Sequence, residues 1–181
     1  MNDALIIVDM QKWFLEDLKR EEKRSLVNAV ISILNASKIY NVPVATLEYY
    51  SKGPTIPEIR ANIRTDYCLF RKTMPNGFYK TRLKNQLTEW NTEHVYIIGG
   101  FGARCLTSTA KNIPNGINVS TAADLVFDIP GEEKETIDWF VKNGKYYHHH
   151  ESIIEDMAKN YIKRQLQIKS KHRLKPQYTL N

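Results

Sequence analysis

The chain has 181 residues, 42% apolar and 25% charged, which suits one globular domain with a substantial core. It contains no apolar run near the roughly 20 residues that a membrane-spanning helix needs. Its two cysteines, Cys68 and Cys105, are too few for a disulfide scaffold. The N-terminal run Ala4–Val8 is short and lacks a preceding basic segment, unlike a secretion signal, so a reducing, cytoplasmic setting is expected.

The net charge of +6 is concentrated at the C-terminal end. From Met157 onward the chain carries Lys159, Lys163, Arg164, Lys169, Lys171, Arg173 and Lys175 with no acid, which leaves the remainder close to neutral. This end reads as a solvated helix and tail or a subunit contact in preference to a nucleic-acid-binding arm.

In chain order, Ala4–Val8 is apolar at every position, as in a strand covered on both faces. Leu26, Val30, Ile33, Leu34 and Ser37 keep helical spacing until Asn41-Val42-Pro43 stops them. Pro43–Leu47 reads as a second strand and Cys68–Arg71 as a third, with a loop or small lid over Ser51–Thr65 between them. Phe78–Trp90 is amphipathic. His94–Ile98 forms a fourth strand that ends in Gly99-Gly100-Phe101-Gly102, and a helix is expected from Ala103 to Asn112. Ile117–Val126 holds a fifth strand, Glu132–Lys142 a helix and Lys145–His148 a sixth strand, followed by a helix through Ile153, Ile154 and Met157. This alternation predicts an α/β fold, three layers in αβα order around a mainly parallel, six-stranded sheet.

Ligands of open parallel sheets bind outside the carboxyl ends of the strands. Asp9, Lys72 and Cys105 fall at three such ends. A thiol at a helix start is favoured as thiolate, a carboxylate can accept its proton, and an ammonium can hold both anions. The N–H groups of the same helix start could stabilise an oxyanion.

These residues resemble a known family, the isochorismatase-like cysteine hydrolases. Ala4–Gln11 with Phe14 is similar to the family's opening segment. Lys72, Phe78, Thr81 and Leu83 match its Lys…Phe…Thr…Leu segment, and Gly99, Cys105, Thr109 and Ala110 match its glycine and Cys…Thr-Ala segment. Asp124 and Glu151–Met157 fit later landmarks more loosely. The resemblance covers residues 3–158, so the chain divides into a hydrolase domain over 1–158 and a basic C-terminal extension over 159–181.

The resemblance implies that Cys105 attacks a carbonyl carbon, that Asp9 exchanges protons with the thiol, the leaving amine and water, and that Lys72 sits against both. It implies an oxyanion hole from the backbone N–H groups of Arg104 and Cys105, a cis peptide at Gly100-Phe101, and a homo-oligomer, dimer or tetramer. Phe14, Tyr49, Phe78 and Phe101 would line an aromatic substrate pocket. The implied activity is hydrolysis of a small amide or related C–N bond, without cofactor or metal.

Nicotinamidases of this superfamily hold a metal through an Asp-x-His at the end of the second strand and a further histidine. Here that place reads Glu48-Tyr49-Tyr50, and no histidine precedes His94. Members acting on isochorismate lack the cysteine, so Cys105 points away from vinyl-ether chemistry. Ala103 replaces a residue that is polar in many relatives, and the Gly-Gly-Phe-Gly run is unusual.

Taken singly, Asp9 reads as a turn cap, Cys105 as a small buried hydrophobe, Lys72 as a surface lysine, and each aromatic residue as packing. Cys68 has no comparable company and reads as core. His148-His149-His150 reads as an ordinary strand end before it reads as a metal contact. Gly100-x-Gly102 with Asp124 downstream resembles a dinucleotide fingerprint, but Cys105 stands where its third glycine belongs. The remaining alternative is a non-catalytic member that binds a partner or RNA through its basic tail.

Overall fold

The computed structural model describes residues 2–173. Strands β1 (Asp3–Val8), β2 (Val44–Tyr49), β3 (Cys68–Lys72), β4 (His94–Gly100), β5 (Asn118–Ala122) and β7 (Lys145–Tyr147) form one sheet in the order β3-β2-β1-β4-β5-β7. A two-residue strand, β6 (Val126–Phe127), extends the pairing of β4 beyond β5. Every pairing between these strands is parallel. The expected αβα fold is therefore present, with a continuous row of six strands and β6 as a short seventh. The expected fifth strand splits into β5 and β6 because a single helical turn at Ala123–Leu125 interrupts it.

The winding direction reverses between β1 and β4. The chain steps outward from β1 to β2 and β3, then returns to the other side of β1 for β4, β5 and β7. Helices α1 (Arg20–Ile39) and α6 (Glu151–Arg173) cover one face; α3 (Leu83–Glu89), α4 (Thr107–Ala110) and α5 (Glu133–Asn143) cover the other. The pleat assigns the two layers. Leu5 and Ile7 of β1 join Val30, Ile33 and Leu34 of α1, and Ala4, Ile6 and Val8 join Leu83, Leu87 and Phe140.

Two expected elements come out differently. Residues 51–65 are less of a free lid than expected: a helical turn, α2 (Pro57–Arg60), anchors them through buried Ile56, Ile59 and Ile63. The helix expected over Phe78–Trp90 begins only at Leu83, because the preceding backbone bonds elsewhere: Gly77 N–H donates to Thr109 Oγ1 at 2.9 Å and Gly77 O accepts the Thr81 hydroxyl.

Helix α6 runs through residue 158 without a break and stays attached to the sheet beyond it. Asn160 Nδ2 donates to Asp3 Oδ1 at 3.0 Å, and Arg164 donates to the Tyr40 carbonyl at 2.8 Å. Lys175 lies outside the described residues. Among the described residues, no helix is long and apolar enough to cross a membrane.

Burial raises the Asp3 carboxyl from its ordinary 3.8 to about 6, against the opposing charge of Arg164 and the Asn160 hydrogen bond. The folded chain thus holds this proton more tightly than the unfolded chain. The contribution of Asp3 to stability is present below about pH 4 and is lost as pH rises to about 6. Asp3→Asn is expected to raise the urea-unfolding free energy at pH 7 by about 2 kcal/mol and to change it little below pH 4.

Candidate active site

The reversal point between β1 and β4 brings the reactive residues together. Asp9 directly follows β1 and adopts φ 51°, a left-handed conformation that aspartate tolerates better than most residues. Its N–H donates to the Leu47 carbonyl at 3.0 Å. Lys72 closes β3 in register with Tyr49, and its Nζ lies 2.8 Å from Asp9 Oδ2. Both side chains are fully buried. The Lys72 ammonium also sits 4.8 Å from the centre of the Tyr49 ring, adding a cation–π contact. The Cys105 thiol is buried beside Asp9 and Lys72, whose charges act on it in opposite senses.

The expected helix start at Cys105 takes an irregular form, and burial opposes the expected thiolate. Cys105 lies inside a π-helical turn, Gly102–Leu106, and the α-helix after it, Thr107–Ala110, is a single turn. Burial, followed by the negative charge of Asp9, pushes the thiol up to about 12, against the opposing pull of Lys72. Burial also raises Asp9, with Lys72 opposing. The resting pair is thus a neutral thiol beside a carboxylate more basic than usual, arranged for proton transfer during attack.

The turn is held from two sides. Asp128 accepts the Ala103 N–H at 2.9 and 3.1 Å on its two oxygens, and Oδ2 also accepts the Thr136 hydroxyl at 2.6 Å. Thr109 donates to the Cys105 carbonyl at 2.7 Å while accepting the Gly77 N–H. The unusual glycines follow from crowding. A Cβ on Gly99, at φ 115°, would lie 2.1 Å from the Val8 carbonyl oxygen, and one on Gly102 would lie 2.4 Å from Asp128 Oδ2.

The Arg104 N–H, expected in an oxyanion hole with that of Cys105, donates here to the Phe101 carbonyl at 3.0 Å. The Arg104 guanidinium is turned outward onto Glu132. The cis peptide expected at Gly100-Phe101 is not present: all peptides among the described residues are trans, and Phe101 adopts a left-handed conformation with φ 50°.

Of the four expected pocket aromatics, three gather. Phe14 stands edge-on to Phe101 with centroids 5.0 Å apart and to Tyr49 at 6.2 Å. Phe78 packs on the layer that contains Cys105, Leu83 and Leu87, which Phe101 also contacts. Phe127, which carried no motif signal, tilts against Phe101 at 5.5 Å.

Gln11, quoted in the opening motif but given no role, is fully buried. It donates to the Tyr49 and Gly53 carbonyls and accepts the Tyr49 N–H, so it ties residues 51–65 to the end of β1. A cleft of about 470 Å³ opens beside these residues, lined by Glu48, Tyr49, Tyr50, Gly53, Pro54 and Arg71. Another lies at the opposite, amino end of the sheet around His94, Ser120 and Asn160, away from the reactive residues.

The residues at the end of β2 do not fit a nicotinamidase-type metal. Glu48 is buried and accepts the Thr55 N–H at 2.7 Å, the Tyr49 hydroxyl donates to the Thr73 carbonyl, and Tyr50 is exposed. Asp124, the candidate ribose ligand of a dinucleotide site, is turned onto His150 instead.

The isochorismatase domain family model matches residues 3–140. No curated protein matches the chain by sequence. Among solved structures, the MAR1 ribonuclease of Caenorhabditis elegans superposes with a TM-score of 0.76 at 20% identity, covering 84% of this chain and 79% of that one. A cysteine hydrolase from Pseudomonas syringae pv. phaseolicola gives 0.75 at 16% identity over 87% and 93% of the two chains. N-carbamoylsarcosine amidase from Thermoplasma acidophilum gives 0.68 at 21% identity over 83% and 97%. At these identities the superpositions speak to the fold.

A protonated resting thiol is expected to react slowly with iodoacetamide at pH 7, with a rate that climbs without a plateau up to about pH 12. A titration midpoint near neutrality, followed by mass spectrometry of the Cys105 peptide, would contradict this. Removing the carboxylate that holds the Ala103 N–H, as in Asp128→Ala, is expected to cost about 2 kcal/mol in urea unfolding.

Proposed function

Because the chain belongs to the isochorismatase domain family, we propose that it hydrolyses a small amide or related C–N bond through a covalent intermediate on Cys105. The observation that carries this reading is the buried Asp9–Lys72 pair, 2.8 Å apart, with the Cys105 thiol in reach of both. The fold shared with N-carbamoylsarcosine amidase supports the choice of a C–N bond.

In this mechanism Asp9 takes the thiol proton as the sulfur attacks the carbonyl carbon. The C=O π electrons move onto oxygen, which the Cys105 N–H stabilises, joined by the Arg104 N–H once it turns from the Phe101 carbonyl. Collapse of the tetrahedral species breaks the C–N bond, and Asp9 passes its proton to the departing nitrogen. Water then attacks the thioester, giving a proton to Asp9. The C–S bond breaks, the acid leaves, and the proton returns to sulfur. Lys72 holds the charge of Asp9 and of the developing thiolate throughout. None of these steps needs a metal, and Glu48, Tyr49 and Tyr50 supply no imidazole for one.

Phe101 and Phe78, packed on the layer that contains Cys105, would help to exclude water from the attacking sulfur, and Phe14 and Tyr49 back Phe101 and Lys72. Two unpaired thiols suit a reducing cytoplasm, and assembly as a dimer or tetramer belongs to the same reading. The basic second half of α6 serves the catalytic reading poorly as a substrate arm. Asn160 and Arg164 contact Asp3 and Tyr40, at the end of the sheet opposite Cys105.

Intact-protein mass spectrometry with a panel of small amides and N-carbamoyl compounds is expected to show an acyl adduct on Cys105 with a good substrate. Cys105→Ala should lose turnover by at least about a thousandfold; full turnover in that variant would overturn the assignment. Because Asp9 must begin as carboxylate, kcat/KM is expected to fall as pH drops through its raised value, and Asp9→Asn should abolish activity.

A further inference from the structure

Strands β5 and β7 are neighbours, with Ala122 beside Tyr147, so the turns leaving their carboxyl ends lie side by side. Asp124 comes from the first turn, His149 from the second, and Glu151 is the first residue of α6. One donor atom from each lies within 4.8 Å of the other two. We propose that Asp124, His149 and Glu151 form a binding site for one first-row transition cation of the Zn2+ type, separate from the Cys105 site and independent of the proposed hydrolysis.

The geometry and chemistry agree. His149 Nδ1 is 4.0 Å from Asp124 Oδ2, about half an ångström wider than the roughly 3.3–3.6 Å between two tetrahedral donors at about 2.0–2.2 Å, a gap that a small rotation of His149 closes. The His149 and Glu151 side chains are largely exposed, so modest rotations complete the set. Asp124, by contrast, is already oriented. Its Oδ2 accepts the His150 ring nitrogen at 2.7 Å and the His150 backbone N–H at 3.2 Å. Its Oδ1 is buried and has no hydrogen-bond donor among the described residues, so the carboxylate keeps acceptor capacity that its neighbours do not use.

His150 is therefore a positioning residue that fixes the carboxylate from outside the coordination sphere. Two carboxylates neutralise a divalent ion, and the imidazole favours Zn2+, Ni2+ or Co2+ over Mg2+. Three protein ligands leave room for water, a weaker site than a closed four-ligand one.

The test is calorimetric titration of Zn2+ into untagged, EDTA-treated and desalted full-length protein carrying Cys105→Ala, so that the catalytic thiol contributes nothing. One ion per chain is expected with a dissociation constant of order 10 μM or tighter. Each of His149→Ala and Glu151→Gln should weaken binding by about tenfold or more, while His148→Ala should stay within about twofold. Both His149 and Glu151 are exposed, so circular dichroism of these variants should match the parent. Uptake well below one ion per chain at 100 μM Zn2+, roughly ten times the expected dissociation constant, would overturn the proposal. So would unchanged binding in His149→Ala or Glu151→Gln. A loss in His148→Ala equal to that in His149→Ala would assign binding to the bare histidine run and overturn it as well.

Discussion

The buried ion pair between Asp9 and Lys72 is the constraint around which the rest of this molecule is arranged. Each ion loses several kcal/mol of hydration on burial, and only close, fixed pairing returns that energy. The pairing at 2.8 Å needs β1, β2 and β3 in one register, because Lys72 must lie beside Tyr49 at the strand end to reach Asp9. Removing either partner would strand a buried charge at a cost of about 3–5 kcal/mol. The site and the sheet are therefore stabilised by the same contact.

That pair also sets the state of the sulfur. Deep burial and the Asp9 charge outweigh the attraction of Lys72 and raise the thiol above its ordinary range. A permanent thiolate would be open to alkylation and oxidation. In the proposed hydrolysis, a buried thiol beside a basic carboxylate instead couples deprotonation to attack. This arrangement depends on the π-helical turn, which places Cys105 where a regular helix start would not. The turn in turn depends on Asp128 gripping the Ala103 N–H and on Thr109 gripping the Cys105 carbonyl.

Different parts of the carboxyl end of the sheet support different chemistry. Next to β1 and β4, crowded backbones and the rings of Phe14, Phe101 and Phe127 pack closely, and Cys105 is buried. At the β5–β7 edge, exposed imidazole and carboxylate groups surround Asp124, a setting suited to a hydrated cation. Gln11 links the first region to residues 51–65, which border the cleft beside Tyr49.

Much of the architecture could be read along the chain. The all-apolar run of β1, the helical spacing of Leu26, Val30, Ile33 and Leu34, and the order of Asp9, Lys72 and Cys105 each follow from local pattern, because burial on two faces or one leaves a periodic trace. The helix at Phe78 started late because Gly77 spends its backbone N–H on Thr109, thirty-two residues away. No local propensity reports such a bond. The roles of Asp128, Gln11 and Phe127 were invisible for the same reason: each acts through a partner distant in sequence.

The amino-acid sequence by itself determined the layer order, the parallel sheet and which three side chains reach its carboxyl end. Only the tertiary structure decided the protonation of Cys105, the engagement of the Arg104 N–H and the gathering of Asp124, His149 and Glu151. The physical reason is that charge state and hydrogen bonding depend on desolvation and on neighbours supplied by other strands, and those exist only once the sheet has closed around them.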